Sequence, residues 1–441
     1  MGLVPLRENV SSARIVLSWG MRPGGGMGRQ KSGCQTVRYR LILGGLLFPG
    51  NKGKFNSMNS IAEGKMKRSQ PLKRLVEIGF LSLATFLLFP DAGRAGPSGN
   101  GKPLRTPEQI YLAACAHCHG TDGRGVPADR LSLPVPVPDF TDCRFAPREA
   151  EHDWHAVIRN GGPARGFHRT MPAFGEALSA EEIQQVLHHV HTFCTEHAWP
   201  RGELNFPKAV FTEKAFPEDE LLVVSNMAVE GSGELTTKII YEKRFRARNQ
   251  VEFILPIAAH SLENRWDGGI GDLAMAFKRV LAHSRSKGSI VSMVGELGLP
   301  TGREELGFGN GYSVLETAVL FGQALPAESF VQFQGGFGFP FNGPAANEAF
   351  WRLAVGKTFS QGGWGRSWSP MVEFLAAREL IQGEKIAWDI VPQMQVTLST
   401  RQHIRMNVGL NLPLTDAGPR AARLVFYFLW DWFDGGIRQG W

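Results

Sequence analysis

Along the last half of the chain, apolar and polar residues alternate one for one. Ile404, Met406, Val408, Leu410 and Leu412 interleave with Arg405, Asn407, Gly409 and Asn411, and Val331, Phe333, Phe337 and Phe339 with Gln332, Gln334, Gly336 and Gly338. Ile386, Trp388, Ile390, Met394, Val396 and Leu398 do the same against Asp389, Gln393, Gln395 and Thr397, and similar ladders begin near 250, 272, 290, 313, 350, 371 and 423. Side chains change face at every residue of a strand, so period two predicts strands with one apolar and one polar face. Each ladder runs for roughly ten residues before Gly, Pro, Asn or Ser closes it, the length of a tilted strand crossing a bilayer. The polar faces carry Glu252, Lys278, Glu296, Glu316, Arg352, Glu373, Asp389 and Arg405. Both signs together fit a hydrated lumen behind a lipid-facing wall. A soluble two-sheet sandwich alternates too. The number and length of the strands, with an aromatic last residue, Trp441, favour an antiparallel transmembrane barrel of about 10–12 strands over residues 235–441.

Upstream the period is helical. Thr106-Pro107-Glu108-Gln109 reads as a helix start, with Thr106 as N-cap, Pro107 in the first turn and Gln109 closing a capping box. Trp154, Val157 and Ile158 share a face of a second helix that Gly161 ends. Ser179 and Glu182 cap a third, whose stripe is Ile183, Val186, Leu187, Val190 and Phe193. The fold class is therefore multidomain: a small all-α domain over residues 96–200, a proline-marked linker over 201–234, then the all-β barrel.

Charge changes the picture at the other end. The chain has 48 Lys and Arg against 41 Asp and Glu, a net charge of +7, but the first 95 residues hold 15 against 4 and the remainder is net −4. That balance gives no footing for nucleic-acid binding. Met66 to Arg74 makes a positive segment, Ile78 to Phe89 an apolar run, and Gly93 and Ala95 a small-residue cleavage site. Residues 66–95 are accordingly expected to be a signal peptide, the run being too short for a spanning helix. Residues 1–65 before it show no sustained period and are expected to be disordered or spurious upstream sequence.

Export gives meaning to the cysteines. Cys115-Ala116-His117-Cys118-His119 places two thiols on one turn, where each can form a thioether to a haem vinyl group, with the next histidine as proximal iron ligand. A zinc site would need a second ligand pair, and a thioredoxin-like redox pair a βαβ setting; neither is evident. Cys143 and Cys194 remain as candidates for one disulfide in an oxidising compartment. His188, His189 and His191 are expected to be solvated neighbours of the apolar stripe rather than a metal cluster. Pro134-Val135-Pro136-Val137-Pro138 reads as an extended apolar wall.

This segment resembles the class I monohaem cytochromes c. The resemblance covers about 100 residues and implies one covalent haem c on Cys115, Cys118 and His119. Arg169-Thr170-Met171-Pro172 is similar to that family's Met-Pro segment, which makes Met171 the implied second axial ligand and His168 its competitor. In the second domain, Gly269-Ile270-Gly271-Asp272-Leu273, Gly298-Leu299-Pro300-Thr301-Gly302 and Gly307-Phe308-Gly309-Asn310-Gly311 resemble the barrels of phenol meta-pathway gene clusters. In plan the chain is similar to cytochrome–porin fusions of iron-oxidising bacteria, with a shorter barrel. These resemblances imply an electron carrier rather than an enzyme, set in the outer membrane of a Gram-negative bacterium with its haem domain periplasmic. It would pass electrons between a periplasmic carrier and a partner at or beyond the barrel. The alternatives are a channel for small, aromatic solutes with a regulatory or plugging cytochrome, and a barrel that only anchors the cytochrome.

Overall fold

The structure, a computed structural model, describes residues 105–440 apart from 230–232, 263–264, 361–365 and 419. The expected upstream segment, the signal peptide and Trp441 lie outside the described residues.

The helical domain follows its caps. Helix α1 spans Pro107–Ala114, with the Thr106–Gln109 capping box formed as the sequence implies. It is followed by α2 (Ala116–His119), α3 (Ala128–Leu131), α4 (Glu151–Asn160) and α5 (Ala180–Val190). Ser179 and Glu182 cap α5 reciprocally, satisfying two of its free N–H groups. Ile110 and Tyr111 of α1, Ile158 of α4, and Ile183, Val186, Leu187 and Val190 of α5 close on Phe140 and Leu178 as one apolar core. The Cys143–Cys194 disulfide, with Cα atoms 5.2 Å apart, ties the segment after α5 back to the middle of the domain.

Fourteen antiparallel strands follow: β1 (Glu220–Ala228), β2 (Glu234–Phe245), β3 (Asn249–Leu262), β4 (Arg265–Ile270), β5 (Ala274–Ser284), β6 (Ser289–Gly298), β7 (Ser313–Leu325), β8 (Ser329–Phe341), β9 (Glu348–Lys357), β10 (Phe359–Ser360), β11 (Ser367–Glu379), β12 (Ala387–Thr397), β13 (Ile404–Pro413) and β14 (Arg423–Asp431). Twelve of them close a ring: β14 pairs with β1 from Asp431↔Glu220 to Arg423↔Ala228, and β11 pairs with β9. The short β4 and β10 hang on β3 and β11. Closure leaves no sheet edge, which a soluble sandwich would have, and every ring strand is long enough to cross a bilayer when tilted. Outward side chains are apolar and open to the surroundings, among them Phe253 (49%), Met293 (52%) and Phe337 (49%). Among the described residues no helix is long and apolar enough to cross a membrane.

Two expectations need correcting. The stretch read as a linker holds β1, so the barrel begins at Glu220 rather than 235, and β1 and β2 bring the ten ladders to twelve. The lumen face is as expected, with Glu252, Lys278, Arg352 and Glu373 all inside and almost fully buried. What buries them is the chain itself. Residues 204–219 enter the barrel and fill its lumen: Leu204, Phe206, Ala209, Val210, Phe211, Ala215 and Phe216 pack on inward apolar side chains of the wall. The segment has no regular structure, so its backbone is satisfied by the wall. Gln395 accepts from Lys208 N (3.0 Å), Gln393 from Val210 N (3.0 Å), Gln334 from Glu213 N (3.0 Å), and Glu373 from Phe211 N (3.1 Å) and Thr212 N (2.6 Å). Lys278 pairs with Glu213 at 3.2 Å and donates to the Lys214 carbonyl at 3.1 Å. The hydrated lumen is thus, over this depth, a packed interior.

The helical domain sits on one end of the barrel. Glu151 of α4 pairs with Arg285 (2.8 Å), Gln402 donates to Asp153 (3.0 Å), and Arg401 donates to the Gly166 carbonyl (2.6 Å) while lying over the Phe167 ring. These barrel residues belong to the tight connections 285–288 and 398–403. At this end lie the short turns 246–248, 285–288 and 326–328, whereas 299–312 forms a long loop at the other.

Candidate haem site

Cys115 ends α1 and Cys118 and His119 lie in α2, so the three share one coil of backbone, with His119 N donating to the Cys115 carbonyl at 2.9 Å. Gly120 follows at φ 74°, a left-handed conformation that stops the helix and that glycine adopts without strain. The Tyr111 hydroxyl donates to the Gly120 carbonyl at 2.7 Å and pins this turn to α1. Of the four cysteines described, Cys143 and Cys194 are bridged while Cys115 and Cys118 stay as half-buried thiols. Burial, then the neighbouring Cys118, pushes the Cys115 thiol up to about 11, so it is neutral at ordinary pH. Burial holds His119 down to about 4, which keeps the imidazole neutral and its lone pair free for a metal. The ring stacks on Phe140 at 4.6 Å, and its buried Nδ1 has no partner.

Met171 lies in the loop between α4 and α5. Its carbonyl accepts from Gly162 N at 3.0 Å, and its side chain packs on the same apolar core that Cys115 and Ala116 border. His168 is exposed, with its Nδ1 turned to Thr170 N and Oγ1 at 3.3 Å. The loop therefore brings Met171 to the core that carries the cysteine turn and turns His168 outward. Val135 and Val137 are half-buried while Pro134, Pro136 and Pro138 face solvent, and the Gly125 backbone packs under the Val137 carbonyl.

The donor set fits a porphyrin better than a bare ion. Among the described residues, no group closing to metal-ligand spacing includes Cys115, Cys118 or His119. Zinc would gather them on one point. A haem takes two thiols at its edge and an imidazole at its centre, and so wants them spread. One expectation fails here: His188 is exposed, but His191 is buried edge-on to Trp154 at 6.0 Å with neither ring nitrogen partnered. It lies one residue beyond α5, turned under the domain, a direction the apolar stripe alone does not announce.

Sequence reasoning missed the lumen segment altogether. Pro200, Pro207 and Pro217 and the lack of any period made residues 201–219 look like a connector, and the cue it carried was the run Ala209-Val210-Phe211 with Ala215-Phe216, apolar clusters too far from any core to belong outside.

Comparison with known proteins agrees in part. Residues 102–190 match the family model described as Cytochrome C oxidase, cbb3-type, subunit III. No curated protein is similar enough to the chain to count as a match. Among solved structures, an outer membrane channel from Pseudomonas putida F1 aligns at 14% identity and TM-score 0.39, covering 51% of this chain and 98% of its own. The NanC porin aligns at 8% identity and TM-score 0.35, covering 47% and 97%, and LpxR from Salmonella typhimurium at 8% and 0.33, covering 48% and 99%. At such scores these likenesses carry no argument, and the barrel rests on its own closed strand pairing. The chain joins a cytochrome c domain, which implies bound haem c, to a closed 12-strand antiparallel barrel.

Proposed function

We propose that this protein carries electrons at the periplasmic face of the outer membrane through one haem c, held by Cys115, Cys118, His119 and Met171. The observation that carries the reading is the pair of unbridged thiols on one turn beside a neutral His119, in a domain whose other two cysteines do form a disulfide. Bound there, haem c supplies a one-electron couple. Cys115 and Cys118 tether it, His119 offers its lone pair, and Met171 offers a thioether from the loop before α5. Were His119 and Met171 both to hold the iron, no open position would be left for a substrate, which suits a carrier rather than an oxygen-activating enzyme.

Short turns mark the periplasmic end of outer-membrane barrels and long loops the outside. The helical domain contacts the short-turn end through Arg285, Arg401 and Gln402, which supports a periplasmic haem domain and a periplasmic carrier as its partner. The chain has one Cys-x-x-Cys-His motif, and the lumen is packed with protein. The second partner is therefore met at the barrel's mouth rather than through it, and the barrel anchors the carrier in the membrane.

A membrane-impermeant reductant tests this. Added to intact cells it should leave the haem oxidised, whereas reduced soluble cytochrome c should reduce it in a second-order reaction once the outer membrane is opened. Reduction in intact cells would place the haem, or a path to it, on the outer side and defeat the proposal.

A further inference from the structure

Beyond electron transfer, we propose that the barrel is a closed channel for small hydrated ions and polar solutes, stoppered by residues 204–219, and that the seated cytochrome domain holds the stopper in.

Apolar side chains of the wall pack on the stopper. This wall also offers amides and carboxylates: Gln332, Gln334, Gln393, Gln395, Asn407 and Glu373 bond its backbone. Backbone bonds of this kind can be exchanged for water one by one, and the same side chains would line a wet pore once the segment left. Beyond the stopper, toward the long loop 299–312, the inward Lys238, Glu316, Glu348 and Asp389 are partly exposed, so the barrel opens there into a polar vestibule.

The second part is the neck. The segment enters and leaves at the same end, so it is a loop with both ends at the barrel's mouth. Gly202 N donates to the Pro147 carbonyl at 2.7 Å, and Asp219 takes Arg148 at 2.6 Å. Adjacent residues of the cytochrome domain thus pinch the two ends together. Arg148 also lies 3.6 Å over the Phe433 ring beyond β14, and the entering strand of the loop is leashed to the domain through Cys194 and its disulfide. A cavity of about 90 Å³ at this junction is lined by Arg148, Asp153, Asn205, Phe216, Glu218 and Gln395, among others, so the meeting of domain, stopper and wall is incompletely packed. Lifting the domain off the turns would draw on the loop at its neck.

Conductance of the intact, haem-loaded protein in planar bilayers with potassium chloride tests both halves. Wild type should be closed with brief openings. Replacing residues 205–216 by a Gly/Ser stretch of equal length should give a steady open level, and Arg148→Ala with Arg401→Ala should raise the open fraction several-fold while the haem spectrum stays unchanged. Heat-modifiable migration confirms that each variant has formed a barrel. If the Gly/Ser barrel conducts no better than wild type, or wild type is already as open, the stopper claim is overturned. If the double variant leaves the open fraction unchanged, the role given to the cytochrome is overturned.

Discussion

The four described cysteines take two fates, and their surroundings account for both. Cys143 and Cys194 meet across the domain and bridge, whereas Cys115 and Cys118, kept on one turn, stay free beside a buried imidazole. The second axial ligand is the most direct test at this scale. Met171→His should keep the haem attached but lower its reduction potential, because a histidine in place of the thioether stabilises the oxidised iron; redox titration of the purified protein reads the shift, and an unchanged potential would show that Met171 is not a ligand. His191 gives the domain a pH dependence. Burial, reinforced by Arg201, Arg285 and His188, holds it down to about 3 from the usual 6.5. The unfolded chain therefore binds a proton first, and stability falls as the pH drops through that window, by up to about 1.4 kcal/mol per unit. Thermal melts at pH 7 and pH 5 should show a smaller acid loss for His191→Leu than for wild type. Equal losses would mean that the imidazole is not buried in the neutral form.

At the scale of elements, sequence and structure part company where two surfaces bury the same segment. The capping boxes at Thr106 and Ser179 and the stripe of α5 were legible because short-range hydrogen bonds and one packed face determine them. Leu187 is fully buried in that face, and Leu187→Ala should cost about 2–5 kcal/mol by opening a cavity, read by denaturant unfolding of the haem domain. The ring strands from β3 onward were legible from period two, whereas the short β4 and β10 were not. Strand β1 was not: its lumen face carries Leu222 against Val210 and Phe211 of the stopper, so apolar residues stand on both faces and the alternation disappears. The stopper escaped for a related reason. A buried segment without regular structure is rare because its backbone must find partners. Here they come from side chains more than a hundred residues away, such as Gln334, Glu373 and Gln395, which no local pattern reveals. The loop that presents Met171 and turns His168 outward was legible only through its likeness to a known segment.

The whole molecule joins a cytochrome c domain to a closed β-barrel and uses the connection between them to fill the barrel's lumen. The apolar outer surface, with Phe253, Met293 and Phe337 about half exposed, would drive aggregation in water and is at home in lipid. The ring closed by β1 on β14 leaves no unpaired edge inside the bilayer. Such a barrel resists detergent until heated, and a thioether-bound haem stays with its polypeptide after denaturation, so one gel reports on both. Purified outer membranes, run unheated and boiled and stained for haem, should show the pigment on this polypeptide in both lanes, with a mobility that changes on boiling. Pigment that leaves the boiled chain, or a stained band that migrates identically in both lanes, would contradict the account.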